Sequence, residues 1–341
     1  MFSSNTRSVA MGKRSVQKRL LNFSFKALAM ALPAAVLYFE LSKRDNLGEI
    51  AATFWLQLGD ANAWWLIGAV GLLPFNWLAE VQKWQPLVAR TEPMTRWKAL
   101  QAVLAGMSFA LFTPNRVGEY GARILFVRPE NQWKALLANM VGSMSQYLVL
   151  LSSGILGGLW FAGQVFAWDT SWQAGLLVLS ALPLAALFYL FFNIRLLLPL
   201  ARRIPFLNRL PSYLRDVYFL EKIERTTLTN ILVWSVLRYA IYSTQYVLLL
   251  HFFGVNVGFL AGYAGVATIY LLQTVVPLPA LAGLLVRGSL AVFAWSHFGA
   301  NEISSLSATF VLWIINLILP ALLGTFSLVS VNITKSLGYD D

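Results

Sequence analysis

Apolar residues fill this chain in long runs, and short segments between them hold most of its charge. A helix that crosses a bilayer needs about 20 mostly apolar residues. Such runs lie near 25–42, 61–82, 133–163, 171–194, 229–253, 258–277, 284–299 and 304–331, and they predict about eight transmembrane helices. The stretch 98–130 is different. Two short apolar halves flank Thr113 and Pro114, and the segment starts and ends on the same side, so it reads as a re-entrant hairpin. A second interrupted element spans 273–289, where Pro277 and Pro279 break an apolar run ahead of Arg287. Paired interrupted segments in the two halves of a chain point to a transporter's binding site. Non-helical backbone at that depth needs protein or a wet cavity around its polar groups. The predicted fold class is an all-α polytopic membrane protein with a lined interior.

Composition agrees with this pattern. The chain has 341 residues, 58% of them hydrophobic and only 12% charged, with 13 Trp and 23 Phe, which leaves too little polar surface for a soluble globule. Lys and Arg outnumber Asp and Glu by 26 to 15, but the excess is confined to a few segments, so nucleic acid is not an expected partner. Residues 1–24 form a basic segment without an acid, and the loop 195–227 holds seven basic residues against Asp216, Glu221 and Glu224. Loops near 164–172, 254–258 and 299–303 contain no Lys or Arg, whereas 83–98 contains Lys83, Arg90, Arg96 and Lys98. The positive-inside rule then puts both termini in the cytoplasm, including a short tail at 333–341. Residues 25–332 make one integral domain of the cell (inner) membrane, with the run after Lys26 read as a retained first helix. The absence of cysteine excludes disulfides, thiolate metal sites and a cysteine nucleophile.

The chemistry lies in the few charges inside apolar sequence. Arg116, Glu119 and Arg123 follow Pro114 within the hairpin. An ionised side chain at the bilayer centre costs roughly 2.5–3.5 kcal/mol on insertion scales, so such groups face cavities, pair with each other and mark pathways. In a helix Glu119 would reach Arg116 three residues before it and Arg123 four residues after it. Thr113 fits an N-cap and Pro114 a first helical residue, which would add the positive helix end to an anion site. The alternative reading is that Arg116, Arg123 and Arg128 mark only a cytoplasmic membrane edge. Asn139, Ser143 and Gln146 recur at helical spacing, as do Arg238, Tyr242, Gln245 and Tyr246, while Asn316 precedes Pro320. Neutral members of these sets can serve as interhelical glue, but Arg238 and Arg287 need an anion, carbonyls or water. The two histidines, His251 and His297, fall near span ends without an acid beside them in sequence. No motif for metal binding, acyl transfer or nucleotide binding is present, so neither a cofactor nor an enzymatic activity is expected.

With these residues in view, the chain resembles the membrane region of lysylphosphatidylglycerol synthases, a flippase-like family whose members also occur without the aminoacyl-transferase domain. The Pro114, Arg116, Gly118, Glu119 run carries the resemblance, supported by Gln146 in GSMSQ, Arg238 and Gln245 in RYAIYSTQ, and WIINLILPALLG from Trp313 to Gly324. The second Pro-rich element departs from the family pattern: where relatives often have Glu and Gly, this chain has Gly283 and Leu285, while Arg287 and Gly288 remain. The resemblance implies a stand-alone lipid translocase that binds an anionic phospholipid or a polyprenyl-phosphate-linked glycolipid. Its expected binding residues are Arg116, Glu119, Arg123, Arg238 and Arg287, supported by Pro114, Gly118, Gln146, Gln245 and Asn316. Two other readings stay open. One is a non-transporting scaffold that docks envelope-synthesis enzymes through the basic loop, and the other is a membrane-embedded lipid transferase. A homo-oligomer is compatible with either.

Overall fold

The protein was analysed as a computed structural model, which describes residues 46–60, 62–111, 113, 116–196, 218–274, 280–329, 331 and 336, with scattered positions between 20 and 42. Most of the expected N-terminal segment 1–24, of the 25–42 span and of the loop 195–227, together with Pro114, Pro277, Pro279 and most of the 333–341 tail, lie outside the described residues.

Every regular element described is helical. The first, α1 (Leu47–Leu58), was not anticipated, because its 12 residues are too few to register as a span. Helix α2 (Ala63–Gly71) passes through Leu72 straight into α3 (Leu73–Val88), and together they form a run long and apolar enough to cross a membrane. This corrects the predicted boundary at residue 82. Lys83 belongs to the helix and is 1% exposed, not part of a cytoplasmic loop.

Two helices then form a hairpin. Helix α4 (Arg96–Ala110) starts where the Thr95 side chain accepts a hydrogen bond from the Lys98 amide, at 3.2 Å, and the short α5 (Gly118–Ile124) folds back on it. Gly106 permits the close approach, since a Cβ there would stand 2.9 Å from the Glu119 Cγ. The return helix begins at Gly118, later than Pro114. Its N-cap is Val117, not Thr113, but the Thr113 hydroxyl in the preceding turn accepts the Gly118 amide at 2.7 Å, so that N–H is already occupied. Arg116 lies in the turn with φ +60, a left-handed conformation uncommon for a residue with a side chain.

A 3₁₀ turn at Pro129–Asn131 leads into the 35-residue α6 (Gln132–Phe166), followed by α7 (Thr170–Phe192). Next come α8 (Arg225–Phe252), α9 (Phe259–Thr274), α10 (Ala280–Ser296) and α11 (Glu302–Trp313). Helix α9 ends at Thr274 and α10 begins at Ala280, and residues 275–279 of the second predicted interrupted element lie outside the described residues. A π-turn at Ile314–Ile318 joins α11 to α12 (Leu319–Val329). Its cause is Pro320, whose ring would clash with the Asn316 carbonyl four residues earlier in a regular α-helix. Helix α12 lies on α4 with Gly324 against the Leu104 carbonyl, and Ser108 donates to the Ala321 carbonyl at 2.7 Å.

Ala63–Val88, Pro129–Phe166, Thr170–Phe192 and Glu302–Val329 are long and apolar enough to cross a membrane, and Phe259–Thr274 and Leu284–Ser296 are shorter apolar helices. One hydrophobic cluster joins α3, α4, α6 and α8 around the hairpin and includes Trp84, Met107 and Leu228. A second joins α2, α8, α9, α10 and α11 around Tyr246, Phe252 and Trp295.

Candidate functional site

A cavity of about 320 Å³ is walled by α3, the hairpin turn, α5, α6, α8, α9, α10, α11 and the π-turn. Its charged wall is organised by a residue that sequence analysis did not select. Glu80, on α3 and 7% exposed, accepts Arg123 Nη2 at 2.8 Å through Oε1. Its Oε2 accepts Arg238 Nη1 at 2.8 Å and Lys83 Nζ at 3.0 Å. The second carboxylate, Glu119, pairs with Arg123 through Oε1 and lies 3.2 Å from Arg116 Nε through Oε2. The expected i−3 and i+4 reach of Glu119 is therefore present, although Arg116 precedes the helix. Arg123, 2% exposed, is held behind the two carboxylates, with its guanidinium 5.8 Å from the Trp84 ring centroid.

The neutral stripe on α6 meets this network residue by residue. Asn139 accepts Arg123 Nη1 at 3.1 Å, Ser143 accepts the Tyr120 hydroxyl at 2.7 Å, and Gln146 accepts Lys83 Nζ at 2.9 Å. Asn76, on α3, accepts Arg238 Nε at 3.0 Å and donates to the Asn316 side-chain oxygen at 2.7 Å. The π-turn therefore puts Asn316 on the cavity wall within this chain of bonds. Arg287 lies elsewhere on the wall. It donates from Nε to Gln273 at 2.9 Å, stands 5.7 Å from the Tyr270 ring centroid, and pairs with no carboxylate among the described residues.

Of the residues singled out in the sequence, Arg116, Glu119, Gln146, Arg238, Arg287 and Asn316 line the cavity. Arg123 supports the wall from behind, and Gly118 sits at the hairpin bend. Gln245 does not reach the cavity: it is fully buried and donates to the Ala69 carbonyl at 2.9 Å, joining α8 to α2. Tyr246, one residue on, hydrogen-bonds Thr309 at 2.6 Å. His251 stacks on Trp65, and His297 faces its own helix at the Phe293 carbonyl, so neither joins the site. Among the described residues, no group of His, Asp or Glu is arranged to hold a metal ion.

Glu80 is absent from the sequence-based site and Lys83 is read there as a loop residue, for different reasons. Lys83 ends a hydrophobic run beside further basic residues, which is how a membrane-edge lysine looks in one dimension. Glu80 has Lys83 one turn away, a signal that was readable, but its two arginine partners come from other helices.

The arrangement defines an integral, multi-pass helical membrane protein with a charged interior chamber. The chain belongs to the family of the lysylphosphatidylglycerol synthase TM region, whose model matches residues 21–324. No curated protein matches the chain, and no solved structure does.

Proposed function

We propose that the chamber binds the headgroup of an anionic phosphate lipid and that the protein is a translocase for it, without catalysing a reaction. One observation carries this reading: the buried polar atoms left without a hydrogen-bond partner on the described chamber wall are donors. Arg116 Nη2, Trp313 Nε1 and Asn316 Nδ2 are buried on its wall without a hydrogen-bond partner among the described residues. Buried donors left unpaired cost about 1–3 kcal/mol each, and an acceptor-only ligand relieves that cost. Phosphate oxygens are such acceptors, and guanidinium groups take them in bidentate fashion. On this reading, α8, α9 and α10 also cross the bilayer of the cell (inner) membrane, the hairpin is re-entrant, and acyl chains stay among the lipids. Either an anionic phospholipid or a polyprenyl-phosphate glycolipid suits this chemistry.

The test uses purified protein in liposomes with a fluorescent phosphatidylglycerol, whose transbilayer movement is followed by chemical quenching of the outer leaflet. Protein-containing vesicles are expected to expose the inner-leaflet probe faster than empty ones, and Arg116→Ala is expected to abolish the gain. An unchanged rate in that variant would refute the site.

A further inference from the structure

We infer that the chamber selects a lipid headgroup bearing at least two negative charges, a terminal phosphomonoester or a diphosphate, over a headgroup with one. This rests on the phosphate-site reading above and adds a charge requirement to it. Five cations, Lys83, Arg116, Arg123, Arg238 and Arg287, stand on or directly behind the wall against two carboxylates, Glu80 and Glu119, a formal excess of three. Even with Lys83 uncharged the excess would be two.

The carboxylates have no capacity left to offset it. Both oxygens of Glu80 and both of Glu119 are already held by the cations described. Part of the surplus lies on Arg287, which has a glutamine and a ring but no carboxylate among the described residues, and on Arg116, which reaches Glu119 only through Nε; the rest lies among Lys83, Arg123 and Arg238, which share Glu80. Burying a net charge in a medium of low dielectric is unfavourable unless a counter-charge enters with it. A monoanionic phosphodiester leaves part of the excess in place. An aminoacylated or zwitterionic headgroup brings a further cation and leaves more. A phosphomonoester or diphosphate brings both the charge and the additional terminal oxygens that Trp313 Nε1, Asn316 Nδ2 and the arginines can donate to.

The experiment titrates the full chain in detergent micelles with dioleoyl phosphatidic acid, phosphatidylglycerol and phosphatidylcholine. It is run at about pH 8, because a phosphomonoester with a second pKa of about 6 is then close to dianionic. The expected result is phosphatidic acid binding at least about tenfold tighter than phosphatidylglycerol, with phosphatidylcholine weakest. Arg287→Gln should weaken phosphatidic acid more than phosphatidylglycerol and narrow their ratio. If that variant fails to fold, the wild-type ratio still decides. Equal affinity for the two anionic lipids overturns the charge requirement and leaves the phosphate site standing. Failure of both to bind overturns the phosphate site itself. Inorganic phosphate binding as tightly as phosphatidic acid would show a site for free phosphate and overturn the lipid assignment.

Discussion

Replacing Glu80 by glutamine keeps its shape and removes the charge that holds three cations. In the wild type Arg123 and Arg238 each lie 2.8 Å from its carboxylate and Lys83 lies at 3.0 Å, with the Glu80 side chain 9% exposed. After the substitution Arg123 retains Glu119, but Arg238 and Lys83 keep only neutral partners, Asn76 and Gln146. Breaking a buried ion pair from one side costs about 3–5 kcal/mol, because the surviving charge is left uncompensated. An ordinary interhelical hydrogen bond within a membrane contributes far less, on average about 0.6 kcal/mol. Gln245 provides that comparison, since its bond to the Ala69 carbonyl also joins two helices but involves no charge. Reversible unfolding in mixed micelles should therefore show Glu80→Gln losing several times more stability than Gln245→Leu. Combining it with Arg238→Gln should recover part of the loss, with a coupling of about 0.5–3 kcal/mol. A Glu80→Gln loss no larger than that of Gln245→Leu, or strict additivity with Arg238→Gln, would refute the view that Glu80 organises the wall electrostatically.

Other expectations follow from individual positions. Arg116→Gly relieves the left-handed backbone at φ +60 and should be more stable than Arg116→Ala by about 1 kcal/mol, while lipid transfer is lost in both; unfolding and liposome assays on the same preparations separate the two effects. Gly106→Val forces a side chain against Glu119 and Arg123, and should cost at least about 1–3 kcal/mol in unfolding experiments and reduce lipid transfer. Thr113→Val removes the acceptor for the Gly118 amide and should cost about 1 kcal/mol, measurable in the same way. Single cysteines at the exposed positions Ser171 and Glu221, in a chain with no native cysteine, should label from opposite faces of the membrane, because α7 runs its full length between them.

Local order along the chain made several features readable. Helical spans depend on runs of apolar residues, and those at 133–163 and 171–194 closely match α6 and α7. The pairing of Glu119 with Arg116 and Arg123 depends on separations of three and four residues, within the reach of one turn. The stripe Asn139, Ser143, Gln146 could be recognised as one helix face, and that face is the one that meets the charges. Long-range packing decided the rest. Glu80 meets Arg123 across 43 residues of sequence, and Asn76 meets Asn316 across 240, so no local rule could pair them. Gln146 and Gln245 look alike in sequence, both being polar residues within apolar helices. Which of them faces the chamber depends on how α6 and α8 are rotated against their neighbours. The chain's own periodicity thus determined that charged side chains would be buried within helices, because hydrophobicity and short spacing are local properties. Only the tertiary structure decided which charges neutralise one another and which are left over, because electrostatic compensation depends on distances between helices that sequence order does not specify.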